Sequence, residues 1–433
     1  MEALKKTGLS TEDLDAVDLL VLCMVFSLPF AGYAIPTGIV FVSPTNLLIL
    51  TAITVLTIRQ LLRAEISRLS LLYLVVILFV TFLLYNVLAQ AINGGSYRRI
   101  ITQVGYLMLV VSLLLYVDSW KRLHTVLSTV FLSSLAISVI GIVSSLTGVF
   151  FGGEFLPSRS IASYIIPFTR TSGIELSHGE IGMFSLGSLP YVVFRSKRSG
   201  QYLPFVGVAV ILFYIVFILQ SRSTWGALLA MVYVAFYLYP LRNSSVRTPI
   251  ALLRLAGIVL LPLTIAFVFH LFTGLESGGG SLTHRLTQLK VSYRLISENI
   301  LTGVGWGNIR QHFFRNRLPH NAFLIIGVGA GIPAIAFITG VITTTCGFLL
   351  RLVSGSKLIE HRLLALALLT SMTAVVVEAN FLVGFGKAGW MWVGIALAFI
   401  DLQQRASVTA PQYQSDDQRH VRRSGGDDQN NIY

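Results

Sequence analysis

The chain has 433 residues, of which 54% are apolar and 12% charged, with a formal net charge of +13. A soluble domain carries about a quarter charged residues, so this composition cannot cover the surfaces of the two or three soluble domains that the length allows. A cytosolic enzyme, a disordered chain and a disulfide scaffold are excluded. The apolar residues come in runs of about 20, the length a helix needs to cross hydrocarbon, not in the short alternating strands of an outer-membrane barrel. Cys23 and Cys346 lie in separate apolar runs and read as small packing residues. The positive charge would suggest nucleic acid in a soluble chain. Here it first reports orientation, and no nucleic-acid partner is expected.

In chain order, Met1–Asp18 is acidic and amphipathic, without a signal-peptide pattern. About twelve spans follow, near 17–35, 44–58, 70–92, 100–117, 123–148, 181–194, 202–220, 224–240, 250–273, 320–350, 363–384 and 388–401. No internal repeat is evident. With the N-terminus in the cytoplasm, every cytoplasmic connection is basic: Arg59, Arg63 and Arg68; Lys121 and Arg122; Arg195, Lys197 and Arg198; Arg242 and Arg247; Arg351, Lys357 and Arg362. The expected fold is an all-α polytopic membrane protein over 1–402, its long outer loop at 274–319 carrying an amphipathic helix between spans nine and ten. A polar tail, 403–433, is expected to be disordered and cytoplasmic.

The outer connections should then be poor in Lys and Arg, and three are not. Arg98 and Arg99 stand at a span edge, Arg159 and Arg170 in the loop at 149–180, and Arg222 at the outer end of the seventh span. The loop at 274–319 holds Arg285, Lys290, Arg294, Arg310, Arg315 and Arg317 against Glu276 and Glu298. Long loops can translocate regardless of charge. As a set, however, basic residues on the disfavoured side point to an anionic ligand at the outer face. The main ionisable residues within spans are His270 and Glu378, which is sparse for an ion-coupled transporter.

Within 281–331, Leu282, Leu286, Leu289, Tyr293, Ile296 and Ile300 recur on one face of a helix. That stripe is expected to lie against the spans at the outer membrane surface. Arg285 and Arg294 are nine residues apart, so about 180° apart on the wheel, and at most one can be in direct contact with a given ligand atom. Gly303-Val304-Gly305-Trp306-Gly307-Asn308 follows, where Gly303 and Gly305 permit a tight turn and either stop the helix or let backbone approach a ligand. Pro319-His320-Asn321 opens the next long apolar run. There the helix dipole favours a neutral imidazole, suited to act as a general base beside arginines.

Taken together, Arg285, Gly303-Val304-Gly305, His320-Asn321 and Gly331 resemble the pattern of the bacterial O-antigen ligase and polysaccharide polymerase superfamily. Ser221-Arg222-Ser223 is similar to that family's Ser-Arg-Gly, and Arg170-Thr171-Ser172-Gly173 to a further arginine-glycine element. The span layout and long outer loop fit as well. The sequence departs from the family pattern at Leu289, Ile300, Gly329 and Ser223, where tryptophan, proline, an acidic residue and glycine are usual.

The resemblance implies a glycosyltransferase of the bacterial inner membrane, with both termini cytoplasmic and the active site on the periplasmic face. It works without metal or other cofactor on a polyprenyl-diphosphate-linked oligosaccharide. Arginine suits a metal-free site because its planar donors bind phosphate oxygens bidentately and stay charged. On this reading Arg222, Arg285 and His320 are catalytic. Arg170, Arg98, Arg99, Arg294, Asn321, Gly303 and Gly305 bind the diphosphate or the substrate. The acceptor is lipid A-core for a ligase or a growing glycan for a polymerase, with the bilayer as the other partner. Transfer to protein hydroxyls and export of lipid-linked glycan are the competing readings.

Overall fold

The computed structural model describes residues 14–30, 35–36, 41–63, 70–93, 98–147, 155–156, 170–171, 178–199, 203–219, 221–239, 280–313, 318–381 and 385–409. The predicted ninth span, His270, Arg159, Arg315, Arg317 and the tail beyond 409 lie outside these residues.

Among the described residues the helices are α1 (Ala16–Ser27), α2 (Pro44–Arg63), α3 (Ser70–Asn93), α4 (Arg98–Tyr116), α5 (Trp120–Thr147) and α6 (His178–Ser199). They continue with α7 (Leu203–Phe213), α8 (Arg222–Leu238), α9 (Gly280–Glu298), α10 (Ala322–Gly355), α11 (Ile359–Ala379) and α12 (Gly386–Thr409). Two minimal antiparallel ribbons pair β1 (Ile35–Pro36) with β2 (Phe41–Val42) and β3 (Phe155–Leu156) with β4 (Arg170–Thr171). All but α9 occupy positions predicted for spans, and α9 is the predicted loop helix. By length and composition α3, α5, α10 and α11 are apolar enough to cross a membrane.

Local chemistry sets several boundaries. Asp15 and Asp18 form a reciprocal capping box that starts α1. Its C-terminal end, expected at 35, gives way to a 3₁₀ turn at Leu28–Phe30 around Pro29. At the other end of the chain α12 runs to Thr409, seven residues beyond the predicted domain limit of 402. Gln403, Gln404 and Ala406 are good helix formers, and Arg405 pairs with Asp401 one turn back. Cys23 and Cys346 are free thiols; Cys23, expected to be a packing residue, is exposed on the surface of α1.

Close approach between helices rests on small residues. Helix α11 packs on α6, α8 and α10. Trp392 of α12 lies over Gly187 of α6, where a Cβ would come within 2.3 Å of the indole. The indole donates to the Met183 carbonyl at 3.2 Å, and Ser371 donates to the Gly187 carbonyl at 2.6 Å. At the predicted inner end, Arg122 bonds the buried Asp18 at 3.1 Å and Asp118 at 2.7 Å, while Arg59 reaches Asp15 at 3.0 Å. This network ties α1, α2 and α5 together.

Helix α9 corrects the expectation about its stripe. Gln288, Ser292 and Leu295 are buried, whereas Leu286, Leu289, Tyr293 and Ile300 are 49–74% exposed. The inner face docks on α10 and its approach: Gln288 donates to the Leu318 carbonyl at 3.3 Å, and Leu295 packs with Ile325 and Val328. Buried polar groups take hydrogen-bond partners, so the polar side of α9 can dock where such partners stand. Among the described side chains of the predicted stripe, Ile296 alone turns inward, packing against Leu295, Ile325 and Val328.

Candidate functional site

The turn after α9 is built by glycines and a row of amides. Gly303 and Gly305 have φ of 62° and 84°, in the left-handed region. Gly331 interrupts α10 with φ 80° and ψ −178°. The two segments dovetail. A Cβ at Gly303 would lie 2.5 Å from the Val328 carbonyl oxygen, and one at Gly331 would lie 2.4 Å from that of Leu301. Backbone bonds close the joint, with the Val304 N–H donating to Val328 at 2.7 Å and the Ile332 N–H to Ile300 at 2.8 Å. The atoms crowding these glycines are thus the protein's own.

On the other side stands a polar row on α3 spaced by four and three residues: Asn86, Gln90 and Asn93. Trp306 donates through its indole to Asn86 at 3.0 Å and through its backbone to Gln90 at 2.8 Å. Asn308 donates to the Asn93 carbonyl at 3.0 Å. The Trp306 ring also explains the departure at Gly329, where a Cβ would lie 2.7 Å from it. None of the three α3 amides was singled out from sequence. Their helical spacing inside a very apolar run was the available signal.

Beside this joint, Asn321 caps α10, accepting from the Leu324 N–H at 3.0 Å, and its amide donates to Asn380 at 3.1 Å. His320, immediately before the cap, is exposed. It sits just ahead of the helix rather than in its first turn. Asn380 ends α11, and two residues earlier stands Glu378, fully buried. The Glu378 carboxyl meets the Thr224 hydroxyl over Gly182 of α6, where a Cβ would lie 2.6 Å from one and 2.5 Å from the other. Neither group is aligned for a hydrogen bond among the described residues. Thr224 lies in the first turn of α8, which Arg222 opens.

The end of α11 therefore gathers the start of α8 with Arg222 and the start of α10 with His320. Arg285 lies on α9, one turn before Gln288 in the helix that docks on α10. Arg170 lies in β4, which packs against the π-helical turn Tyr214–Leu219 leading into Ser221 and Arg222. Arg98 and Arg99 open α4 one turn before Thr102 and Gln103. Those two residues line a hollow of about 60 Å³ walled by aromatic side chains including Trp306, Tyr106 and Trp390. Arg294 is on the opposite face of α9, exposed and 3.9 Å from Glu298. It is not brought to the gathering point.

Residues 207–339 match the family model described as O-antigen ligase. The matched segment takes in most of α7, all of α8 and α9, and the first half of α10. It holds Arg222, Arg285, the glycine joint and His320. The match supports the resemblance carried by the motifs, and with it a multi-pass membrane protein of the glycan-transferring ligase or polymerase kind. No curated protein matches the chain.

Proposed function

We propose that this chain is an inverting, metal-independent glycosyltransferase of the bacterial inner membrane. It transfers glycan from a polyprenyl diphosphate to an acceptor sugar hydroxyl at the outer face. The observation that supports this reading is the meeting of the α8 and α10 starts, the helix ends that carry Arg222 and His320, at the end of α11. Arg222 opens its helix, where unpaired N–H groups and the dipole also favour an anion.

In this mechanism Arg222 and Arg285 hold the diphosphate and stabilise the charge that grows as it leaves. Arg170, Arg98 and Arg99 add further positive charge for the same ligand. His320 accepts the proton of the acceptor hydroxyl as its oxygen attacks the anomeric carbon. The new glycosidic bond forms as the bond to the diphosphate breaks, inverting the anomeric configuration. Asn321 holds His320 in place by capping α10 and bonding Asn380. Gly303 and Gly305 shape the joint that seats α9.

Alanine at Arg222, Arg285 or His320 should each slow glycan transfer by about two to three orders of magnitude. Arg294→Ala, on the far face, should leave it within about tenfold. The measurement is transfer from a polyprenyl-diphosphate-linked repeat by membrane-inserted protein. Wild-type rates in the first three variants would overturn the assignment. Supplying the repeat without lipid A-core separates the two acceptors, because chain growth then marks a polymerase.

A further inference from the structure

The exposed half of α9 has a built pattern. Counting about 100° per residue from Leu286, Leu289 and Tyr293 fall within about 60° on one side, and Lys290 and Arg294 within about 80° on the other. Leu286, Leu289 and Tyr293 are at least 49% exposed, and both cations lie at the surface. Arg294 shares part of its charge with Glu298 across 3.9 Å, and Lys290 stands between it and the apolar edge.

What covers this edge follows from where α9 ends. Ile300 and Leu301 are joined to Gly331 of α10 by the Ile332 N–H to Ile300 bond at 2.8 Å. The Tyr85 hydroxyl of α3 lies against the Leu301 carbonyl and donates its one proton to that of Ala330 at 2.7 Å. Tyr85 is eight residues before the end of α3, or about 12 Å down its axis. Around that level α3 exposes Leu84, Leu88 and Ile92, and α10 exposes Ile332. Ile300 and Leu301, themselves exposed, lie along the chain between the Tyr293–Leu289–Leu286 edge and that level of α3 and α10. Exposed apolar residues beside helices apolar enough to span hydrocarbon fit a membrane contact.

We infer that α9 is an interfacial helix whose occupant is the outer leaflet itself: its Leu286–Leu289–Tyr293 edge enters the acyl region and Lys290 and Arg294 engage anionic phospholipid headgroups. The long stems of the two cations let their charges reach the headgroups from beside an apolar edge. The leaflet would then fix the tilt of the helix that carries Arg285. This goes beyond the transferase reading and does not depend on it.

The test uses the full chain with Cys23→Ser and Cys346→Ala in nanodiscs of phosphatidylcholine and phosphatidylglycerol. Single cysteines at Leu289, Tyr293 and Glu298 carry an environment-sensitive fluorophore, and doxyl-labelled lipids act as quenchers. Quenching several-fold stronger at Leu289→Cys and Tyr293→Cys than at Glu298→Cys is expected. Doxyl-phosphatidylglycerol should outdo doxyl-phosphatidylcholine at Tyr293→Cys, and Lys290→Glu with Arg294→Glu should abolish that preference. Absence of quenching at all three sites would place the face in water and overturn the inference. Equal quenching at all three would overturn the orientation, and protection that rises with protein concentration would assign the face to a second copy instead. A lipid preference unchanged by the charge reversal would overturn the headgroup half. None of these readouts involves glycan transfer, so their failure is distinct from failure of the enzymatic reading.

Discussion

Gly331→Ala offers a sharp test of the joint that seats α9. At φ 80° and ψ −178° a residue with a Cβ pays strain of about 1–3 kcal/mol. The added Cβ would also lie 2.4 and 2.6 Å from the carbonyl oxygens of Leu301 and Ile300, both backbone atoms that cannot swing aside. Relief requires the 300–301 turn to retreat, loosening the 2.8 Å Ile332 to Ile300 bond and the Tyr85 hydroxyl bond at the joint, each worth about 0.5–1.5 kcal/mol. The sum is roughly 2–6 kcal/mol. Scaled to a chain of this size, that lowers the thermal midpoint by roughly 2–7 °C. The control is Gly340→Ala on the same helix, where nothing lies within 4 Å of the added atom and the change should be neutral or stabilising by up to about 1 kcal/mol. Melting of both variants in detergent, followed by tryptophan fluorescence, decides the matter. If Gly331→Ala melts together with Gly340→Ala, the dovetail carries no stability and the argument for the glycine joint fails.

What the sequence made legible depended on which solvent each residue faces. Runs such as Leu71–Asn93 need no tertiary information, because hydrocarbon forces the backbone to satisfy its own hydrogen bonds; helices therefore stand where the runs were read. Arg222 and Arg285 stand out in the sequence because a cation on the disfavoured side needs a reason, and His320 because it precedes a long apolar run beside them; their roles belong to the proposal above. The α9 stripe marks the limit of periodicity, which finds an apolar face but not what covers it; Gln288 and Ser292, on the other face, carry the docking. The glycines at 303, 305 and 331 were visible, but their purpose was not. Spacing cannot tell a loop that closes on a ligand from one that closes on Val328 and Leu301. Asn86, Gln90 and Asn93 went unnoticed because their partners, Trp306 and Asn308, lie more than two hundred residues away.

Further perturbations follow from the same geometry. Gln90→Leu strips the Trp306 backbone N–H of its acceptor and should cost about 1–3 kcal/mol. Asn86→Leu combined with Trp306→Phe should cost less than the sum of the single changes, with a coupling of about 0.5–3 kcal/mol in a double-mutant cycle; strict additivity would deny the bond. Arg122→Ala leaves the buried Asp18 without its cation and should destabilise by about 3–5 kcal/mol in detergent melts, whereas Arg294→Ala, whose pair is exposed, should shift stability by less than about 1 kcal/mol. The Asp15 carboxyl gives a pH signature. Partial burial raises its pKa, but the Asp18 N–H and the Arg59 and Arg122 cations outweigh that and hold it below its ordinary 3.8. A carboxyl whose folded pKa is depressed contributes stability that is complete above the unfolded value and is lost as pH falls through the folded one. Unfolding rates of the wild type should therefore rise as pH drops below about 4, and Asp15→Asn, which cannot titrate there, should show a shallower rise. Parallel profiles for the two would mean that Asp15 gains nothing from its guanidinium neighbours, and that the hold on α1 rests on Asp18 and Arg122 alone.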